Sequence, residues 1–418
     1  MQTLSQLLSG ELLGTKRLKL SEGIEVFPQE IFSLAETLEI LDLSGNKLSC
    51  LPPDLHRLKK LKIAFFSNNL FREVPSVFKS CEKLTMLGFK ANKIQGFAED
   101  ILPLSLSWLI LTDNEISVLP KSIGKLHKLQ KCALAGNKIK CIPETIQTCK
   151  SLELIRLSAN ELEELPSALL NLPKLSWLAF SGNPCSVQKE SCIDEVSYHD
   201  LELTEVLGEG ASGEIFKAYA KPLKQEVAFK RFKGAVTSDG YAKDEMNAYM
   251  STGEHENLIR VLAKLQGDEP LGLLLELIPK DFMNLGNPPS FQTCTRDTFD
   301  DEVSFSCESI LRIAKQIASA ARHLHSKNLM HGDLYAHNIL INKTDKTYLG
   351  DFGAASFYEE DNALYEKIEV RAYGCLLDDL LNLAEKKEGA LYEQLRALVK
   401  DCMQEELHLR PLFSHITF

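Results

Sequence analysis

The feature that most narrows the folds open to this chain is a short phrase repeated through its first half. Leu38, Leu41, Leu43, Asn46 and Leu48 are matched by Leu84, Leu87, Phe89, Asn92 and Ile94 at the same spacing. The frame also starts at Leu61, Leu106, Leu129, Leu152 and Leu175, in steps of 22–23 residues. Each copy keeps an asparagine: Asn46, Asn69, Asn92, Asn114, Asn137, Asn160 and Asn183. A following apolar-proline step recurs at Leu51-Pro52, Val74-Pro75, Leu119-Pro120, Ile142-Pro143 and Leu165-Pro166, and a degenerate first turn ends at Phe27-Pro28. One copy holds one short strand and cannot bury its apolar side alone, so neighbouring copies must stack into a continuous core. The asparagine is expected to satisfy backbone groups at the turn after each strand.

This pattern resembles the leucine-rich-repeat family, of the type with a short Pro-led outer segment. The resemblance implies an α/β solenoid, a horseshoe, over residues 1–185, ending at Asn183-Pro184. In such a horseshoe one strand column points to the concave face. Here it reads Ile40, Ile63, Met86, Trp108, Lys131, Leu154 and Trp177, beside a neighbouring column with Phe65 and Ile110. Both tryptophans of the chain therefore share a column. An exposed apolar stripe of Ile63, Phe65, Met86, Trp108, Ile110, Leu154 and Trp177 is a candidate surface for a protein partner. The alternative is that each side chain is shielded by the next copy.

Composition is that of a soluble globular chain, with 44% hydrophobic and 25% charged residues. The N-terminus lacks the basic start and apolar core of a signal peptide, and no apolar run is long enough to span a bilayer. A cytoplasmic location is the expectation. The 11 cysteines include no C-x-x-C pair and read as small buried hydrophobes. Residues 1–185 carry a net charge of about +3 and the remainder about −14, which does not suit nucleic acid as a partner.

From Leu201 the text changes. Leu207-Gly208-Glu209-Gly210 leads to Gly213 and Ile215, a glycine pattern that dinucleotide-binding folds share. A helix should follow at once in such a fold. Here a β-type run follows, through Val227-Ala228-Phe229-Lys230. Glu245 comes next in a helical stretch, then Leu273-Leu274-Leu275-Glu276, His331-Gly332-Asp333 with Asn338, and Asp351-Phe352-Gly353. In this order the motifs resemble those of protein kinases, over about 200 residues. Cys402 and Arg410-Pro411-Leu412-Phe413 are similar to the closing signature of kinases near the tyrosine-kinase-like group.

The resemblance implies a two-lobed α+β kinase fold over 201–418, after a linker at 186–200. It also implies ATP and Mg²⁺ as cofactors. Lys230 would hold the α- and β-phosphates, positioned by Glu245. Leu207, Gly208, Gly210, Gly213, Ile215, Ala228 and Glu276 would belong to the nucleotide site. Asp333 would orient the attacking hydroxyl, and Asn338 and Asp351 would hold the metal. Such residues suit phosphoryl transfer, in which the protein supplies position and charge rather than covalent chemistry.

Several departures touch activity. Gly332 replaces the arginine that reads a phosphorylated activation loop. Tyr335 takes the place of a lysine near the γ-phosphate, and His337 that of a tyrosine-kinase arginine. Only 17 residues separate Asp351 from Glu369, which resembles the start of a helix that normally begins with Asp. No Ala-Pro-Glu motif is present, which leaves Arg410 without its usual carboxylate partner. Switching by loop phosphorylation is not expected. The order of parts resembles compact repeat–kinase fusions of bacteria. The reading is a protein kinase of serine/threonine type whose repeats recruit a substrate or regulator. The alternatives are a nucleotide-binding pseudokinase scaffold and a small-molecule kinase carrying an interaction array.

Overall fold

The computed structural model describes residues 2–187, 189, 193–210, 212–234, 236–237, 239–267, 270–360 and 362–418. Residues 188 and 190–192 of the expected linker, and Ala211 of the glycine-rich loop, lie outside them. The chain forms two compact units, Met1–Leu172 and Pro173–Phe418. Among the described residues, no helix is long and apolar enough to cross a membrane.

The first unit opens with a short helix, α1 (Leu4–Leu8), closed by a capping box between Thr3 and Gln6. Seven three-residue strands follow: β1 (Arg17–Lys19), β2 (Ile40–Asp42), β3 (Ile63–Phe65), β4 (Met86–Gly88), β5 (Trp108–Ile110), β6 (Lys131–Ala133) and β7 (Leu154–Arg156). They pair parallel and in register, each strand with the next. The middle residues Leu41, Ala64, Leu87, Leu109, Cys132 and Ile155 face inward and are buried. The asparagines do the work expected of them. Asn137, for example, accepts from Ile116 N–H at 3.0 Å and donates to Leu111 and Leu134 carbonyls at 2.9 Å. The prolines start the outer segments: Pro75, Pro120 and Pro143 each cap a 3₁₀ turn with extended backbone, and Pro166 caps α2 (Ser167–Leu170).

Two expectations need correction. The apolar column is not an open stripe. Ile63, Met86 and Leu154 are buried, and Phe65, Trp108 and Ile110 are half-buried. The Phe65 ring leans into the space that Gly88 leaves by having no side chain. Trp108 is covered by Lys131, whose Nζ lies 4.3 Å from the ring centroid. Trp177 belongs to the second unit and is 1% exposed. Nor are the cysteines uniformly buried hydrophobes. Cys81, Cys132, Cys149, Cys294, Cys375 and Cys402 are buried, but Cys50 and Cys141 are exposed.

The second unit begins with the last copy of the repeat, including strand β8 (Trp177–Ala179). Next come β9 (Glu195–Val196), β10 (Leu201–Glu209), β11 (Gly213–Ala220), β12 (Gln225–Phe232), helix α3 (Ala242–Ser251), β13 (Val261–Leu265) and β14 (Gly272–Glu276). The sheet order is β10-β11-β12-β14-β13-β9, antiparallel except for the β13–β9 pair. Its core gathers Val196, Val227, Phe229, Ala263, Leu265 and Leu274. The other lobe is helical, built on α4 (Cys307–His325), α5 (Ala363–Asn382) and α6 (Ala390–Cys402). Helix α4 presents Ile310, Ile313, Ala314, Ile317, Ala321 and Leu324 inward at helical spacing, and its N-cap Ser306 accepts from Ser309 N–H. Short ladders position the functional loops: β15 (Met283–Asn284), β17 (Ile339–Ile341) and β18 (Thr347–Leu349) form one, and β16 (Leu329–Met330) with β19 (Ser356–Phe357) the other. This sheet-plus-helices arrangement is the two-lobed α+β architecture expected.

Candidate active site

Alternation along β12 turns Lys230 inward, where its backbone register sets it beside Ile215 of β11 and Leu273 of β14. Its ammonium pairs with the carboxylate of Glu245 from α3, and both residues are buried. Burial by itself works against the lysine charge, but the negative potential of Tyr249, Glu245 and Asp351 raises its pKa above the ordinary lysine range. Burial pushes Glu245 up to about 7, with Lys230 opposing and Asp351 adding to the rise. A buried pair of this kind holds two elements together, because removing either partner strands the other's charge.

The same centre reaches the D-F-G segment. Asp351 lies in left-handed backbone, φ 57°, and its N–H donates to the Tyr249 hydroxyl at 3.0 Å. Gly353 N–H donates to Asp351 Oδ1 at 3.2 Å, which fixes that carboxylate. Phe352 is fully buried between the rings of Tyr249 and His331, at 4.7 and 4.9 Å. His331 Nδ1 accepts from Asp333 N–H at 3.3 Å, which leaves Nε2 to donate to the Gly350 carbonyl at 2.9 Å. Asn338 Nδ2 donates to the Asp333 carbonyl and Oδ2, at 2.9 and 3.0 Å. The amide oxygen of Asn338 is then the atom left for a cation, alongside the Asp351 carboxylate. Lys230, Glu245, Asp333, Asn338 and Asp351 thus form one linked set.

The other nucleotide-site candidates are placed around it. Leu207, Gly208 and Gly210 lie at the β10 end of the glycine-rich turn, with Gly210 N–H donating to Gly213 O at 2.9 Å. A methyl group added at Gly208 or Gly210 would meet nothing within 4 Å, so the turn has open space beside it. At Gly213 it would strike the Arg231 carbonyl, so this glycine serves close strand packing instead. Leu207 is exposed, Ile215 half-buried and Ala228 buried. The Glu276 side chain is taken up by Arg260 N–H, at 2.8 Å.

Sequence reasoning named Glu369, His337 and Arg410 but not the bonds they make, and it did not single out Asp297. Glu369 is not at a helix start: α5 begins six residues earlier, where Asn362 accepts from Leu364 N–H. The buried Glu369 carboxylate accepts from Gly332 N–H at 2.6 Å, His331 N–H at 3.1 Å and His325 Nε2 at 2.8 Å. Burial alone would raise its pKa, but His325, His331 and the Gly332 N–H hold it below the usual range. Asp297 clamps His337, accepting from its Nδ1 at 2.7 Å and its backbone N–H at 3.2 Å. Burial lowers and Asp297 raises the His337 pKa, and the rise wins. Arg410 is buried and, among the described residues, donates to the carbonyls of Gln404, Lys367 and Pro173. Burial, with Arg371 adding repulsion, brings its pKa down to about 9. No local motif signals these long-range bonds.

Known proteins resemble the chain in two parts. The protein kinase domain family matches residues 201–374, and leucine-rich repeat families match residues 37–58 and 104–162. Fibroblast growth factor receptor 1 of Xenopus laevis is 28% identical over 244 residues, which is 50% of this chain and 30% of the receptor. Myoblast growth factor receptor egl-15 of Caenorhabditis elegans is 25% identical over 291 residues, 53% of this chain and 28% of its own length. Tyrosine-protein kinase Fer of Mus musculus is 26% identical over 171 residues, 41% of this chain and 19% of its own. The chain spans less than a third of these relatives. They lend no support to the serine/threonine assignment, and one is named a tyrosine-protein kinase. The chain carries leucine-rich repeats followed by a protein kinase domain.

Proposed function

We propose that this chain transfers the γ-phosphoryl group of ATP to a protein hydroxyl. The observation that carries the reading is the linked set Lys230–Glu245–Asp351–Asn338–Asp333, in which each side chain expected of a phosphotransferase is held by at least one other part of the centre. Asn338 and Asp351 offer the oxygen donors that Mg²⁺ prefers, and the bound metal would neutralise charge on the phosphates. Lys230 supplies a fixed positive charge for phosphate oxygens. The open glycine turn at Gly208 and Gly210 lets backbone amides approach them. Asp333 accepts the proton of the incoming hydroxyl, oriented by Asn338 Nδ2. The repeats supply a surface for a protein that is substrate or regulator, and the cytoplasm is the compartment this chemistry fits.

The test is incubation of the full chain with γ-labelled ATP and Mg²⁺, with and without a general protein acceptor, beside Asp333→Asn. Label on protein that disappears in the variant supports the reading, and phosphoamino-acid analysis of it separates serine or threonine from tyrosine. Absence of label with magnesium-dependent ATP binding intact would reject protein phosphorylation and favour the scaffold or small-molecule alternative.

A further inference from the structure

The activation segment is short and lacks its usual anchor, yet the centre it would organise is fully assembled. Something else holds it. The last copy of the repeat lies in the same compact unit as the kinase domain, and its side chains are committed there. Trp177 stacks flat on Tyr335, with ring centroids 4.4 Å apart and planes at 6°. Its Nε1–H donates to the Leu334 carbonyl at 3.2 Å. Leu334 and Tyr335 are the two residues that follow Asp333, so the indole grips the catalytic loop beside the residue expected to orient the acceptor.

Neighbours in the copy make matching contacts. Gly332 adopts left-handed backbone, φ 73°, and a side chain there would lie 2.6 Å from the carbonyls of both Leu178 and Ala354. The glycine that replaces arginine before Asp333 is therefore required by the close approach of β8. Phe180 N–H donates to Ser356 Oγ at 2.9 Å, three residues past the D-F-G glycine, and the Phe180 ring stacks on Tyr365 of α5 at 5.1 Å. Gly182, at φ 69°, lies so close to Tyr241 and Asp244 that a side chain there would come within 2.6 Å of Asp244 Oδ2. Those residues cap and begin α3, the helix that carries Glu245. At the other end, Pro173 O accepts from Arg410 at 2.7 Å and Lys174 O from Arg371 at 3.2 Å. One ten-residue segment thus touches the catalytic loop, the post-D-F-G strand, α3, α5 and Arg410.

We propose that this last repeat copy, residues 173–182, does the work of an activation segment, with Trp177 as the positioning residue that sets the catalytic loop. The inference rests on the phosphotransfer reading for its kinetic consequence. The arrangement is built into the fold and needs no modification to form. It also means that truncation at residue 185 would remove catalytic support together with any recruiting surface.

The test uses full-length Trp177→Ala and Trp177→Phe. Phe keeps a ring against Tyr335 and loses only the Nε1 bond. Two readouts are taken: backbone amide exchange, peptide by peptide, and kcat and KM for ATP and for the protein acceptor. For Trp177→Ala, exchange over residues 332–338 should rise about tenfold while peptides of the β10–β14 sheet keep wild-type protection. The value of kcat should fall about 10- to 100-fold with the ATP KM little changed, because a loop displaced by an ångström costs rate more than nucleotide affinity. Trp177→Phe should recover most of both; if the alanine variant does not fold, Trp177→Leu, which keeps apolar bulk but loses both the ring stack and the Nε1 bond, carries the test with the same expected loss. Wild-type exchange over 332–338 in folded Trp177→Ala or Trp177→Leu would overturn the proposal, whether or not turnover is seen. Localised exchange in variants of a wild-type protein that transfers no phosphate would retain the brace and reject the phosphotransfer reading instead.

Discussion

Replacing Glu369 by glutamine changes little in shape and much in electrostatics. One carboxylate oxygen accepts from Gly332 N–H and the other from His331 N–H and His325 Nε2. A glutamine can present its oxygen to one side only, and its NH₂ group then faces a backbone donor on the other. At best one bond is lost and two lose their charge assistance. A hydrogen bond to a buried charged group is worth about 1.5–3 kcal/mol, and breaking a buried ionic arrangement costs roughly 3–5 kcal/mol. A loss of about 3–4 kcal/mol is therefore expected, a large share of the roughly 5–15 kcal/mol that holds a domain folded. The pH dependence has a definite sign. The folded-state pKa of Glu369 lies below its ordinary 4.5, so its contribution is present above that value and is lost as pH falls through the folded pKa. The gap between wild type and Glu369→Gln should be full at neutral pH and narrow in acid. Urea unfolding followed by Trp177 fluorescence in a Trp108→Phe background reads the second unit without the first. A destabilisation under about 1 kcal/mol at neutral pH, or a gap that stays constant into strong acid, would refute the reasoning.

Other perturbations separate the parts. Lys230→Met should lower turnover by at least about 100-fold, since it removes the ammonium paired with Glu245, and phosphate transfer relies on such fixed charge; near-normal kcat would remove Lys230 from the site. Asn137→Ala should cost the repeat unit about 1–3 kcal/mol by stranding the Ile116 N–H in a buried turn, the Leu111 and Leu134 carbonyls keeping bonds from Asn114 and Asn160, read as a lower urea midpoint from Trp108 in a Trp177→Phe background. Asp297→Asn should lower the His337 pKa, followed by imidazole NMR. Because that pKa is raised in the fold, its stabilisation is complete below the ordinary 6.5 and fades as pH rises through the folded value, so the variant should differ from wild type most in acid. An unchanged imidazole titration would show that the Asp297 clamp does not govern the charge.

The sequence by itself determined whatever is periodic or local. The step of 22–23 residues fixed the stacked strands, the inward Leu41–Cys132–Ile155 column and the asparagine turns, because each copy meets its neighbour in the same way. The order of glycines, Lys230, Glu245, Asp333, Asn338 and Asp351 outlined the second unit, since phosphate chemistry leaves few choices of residue type. Periodicity could assign Trp177 to a column but could not say what covers it, and the cover is Tyr335, 158 residues further on. The same limit applies to Glu369 with Gly332, Asp297 with His337 and Arg410 with Pro173, the last pair 237 residues apart. Each bond depends on where the backbone passes rather than on a pattern of side chains. Gly332 shows the difference most directly: in the sequence it is a missing arginine, and only the tertiary structure reveals the Leu178 carbonyl that leaves room for nothing larger.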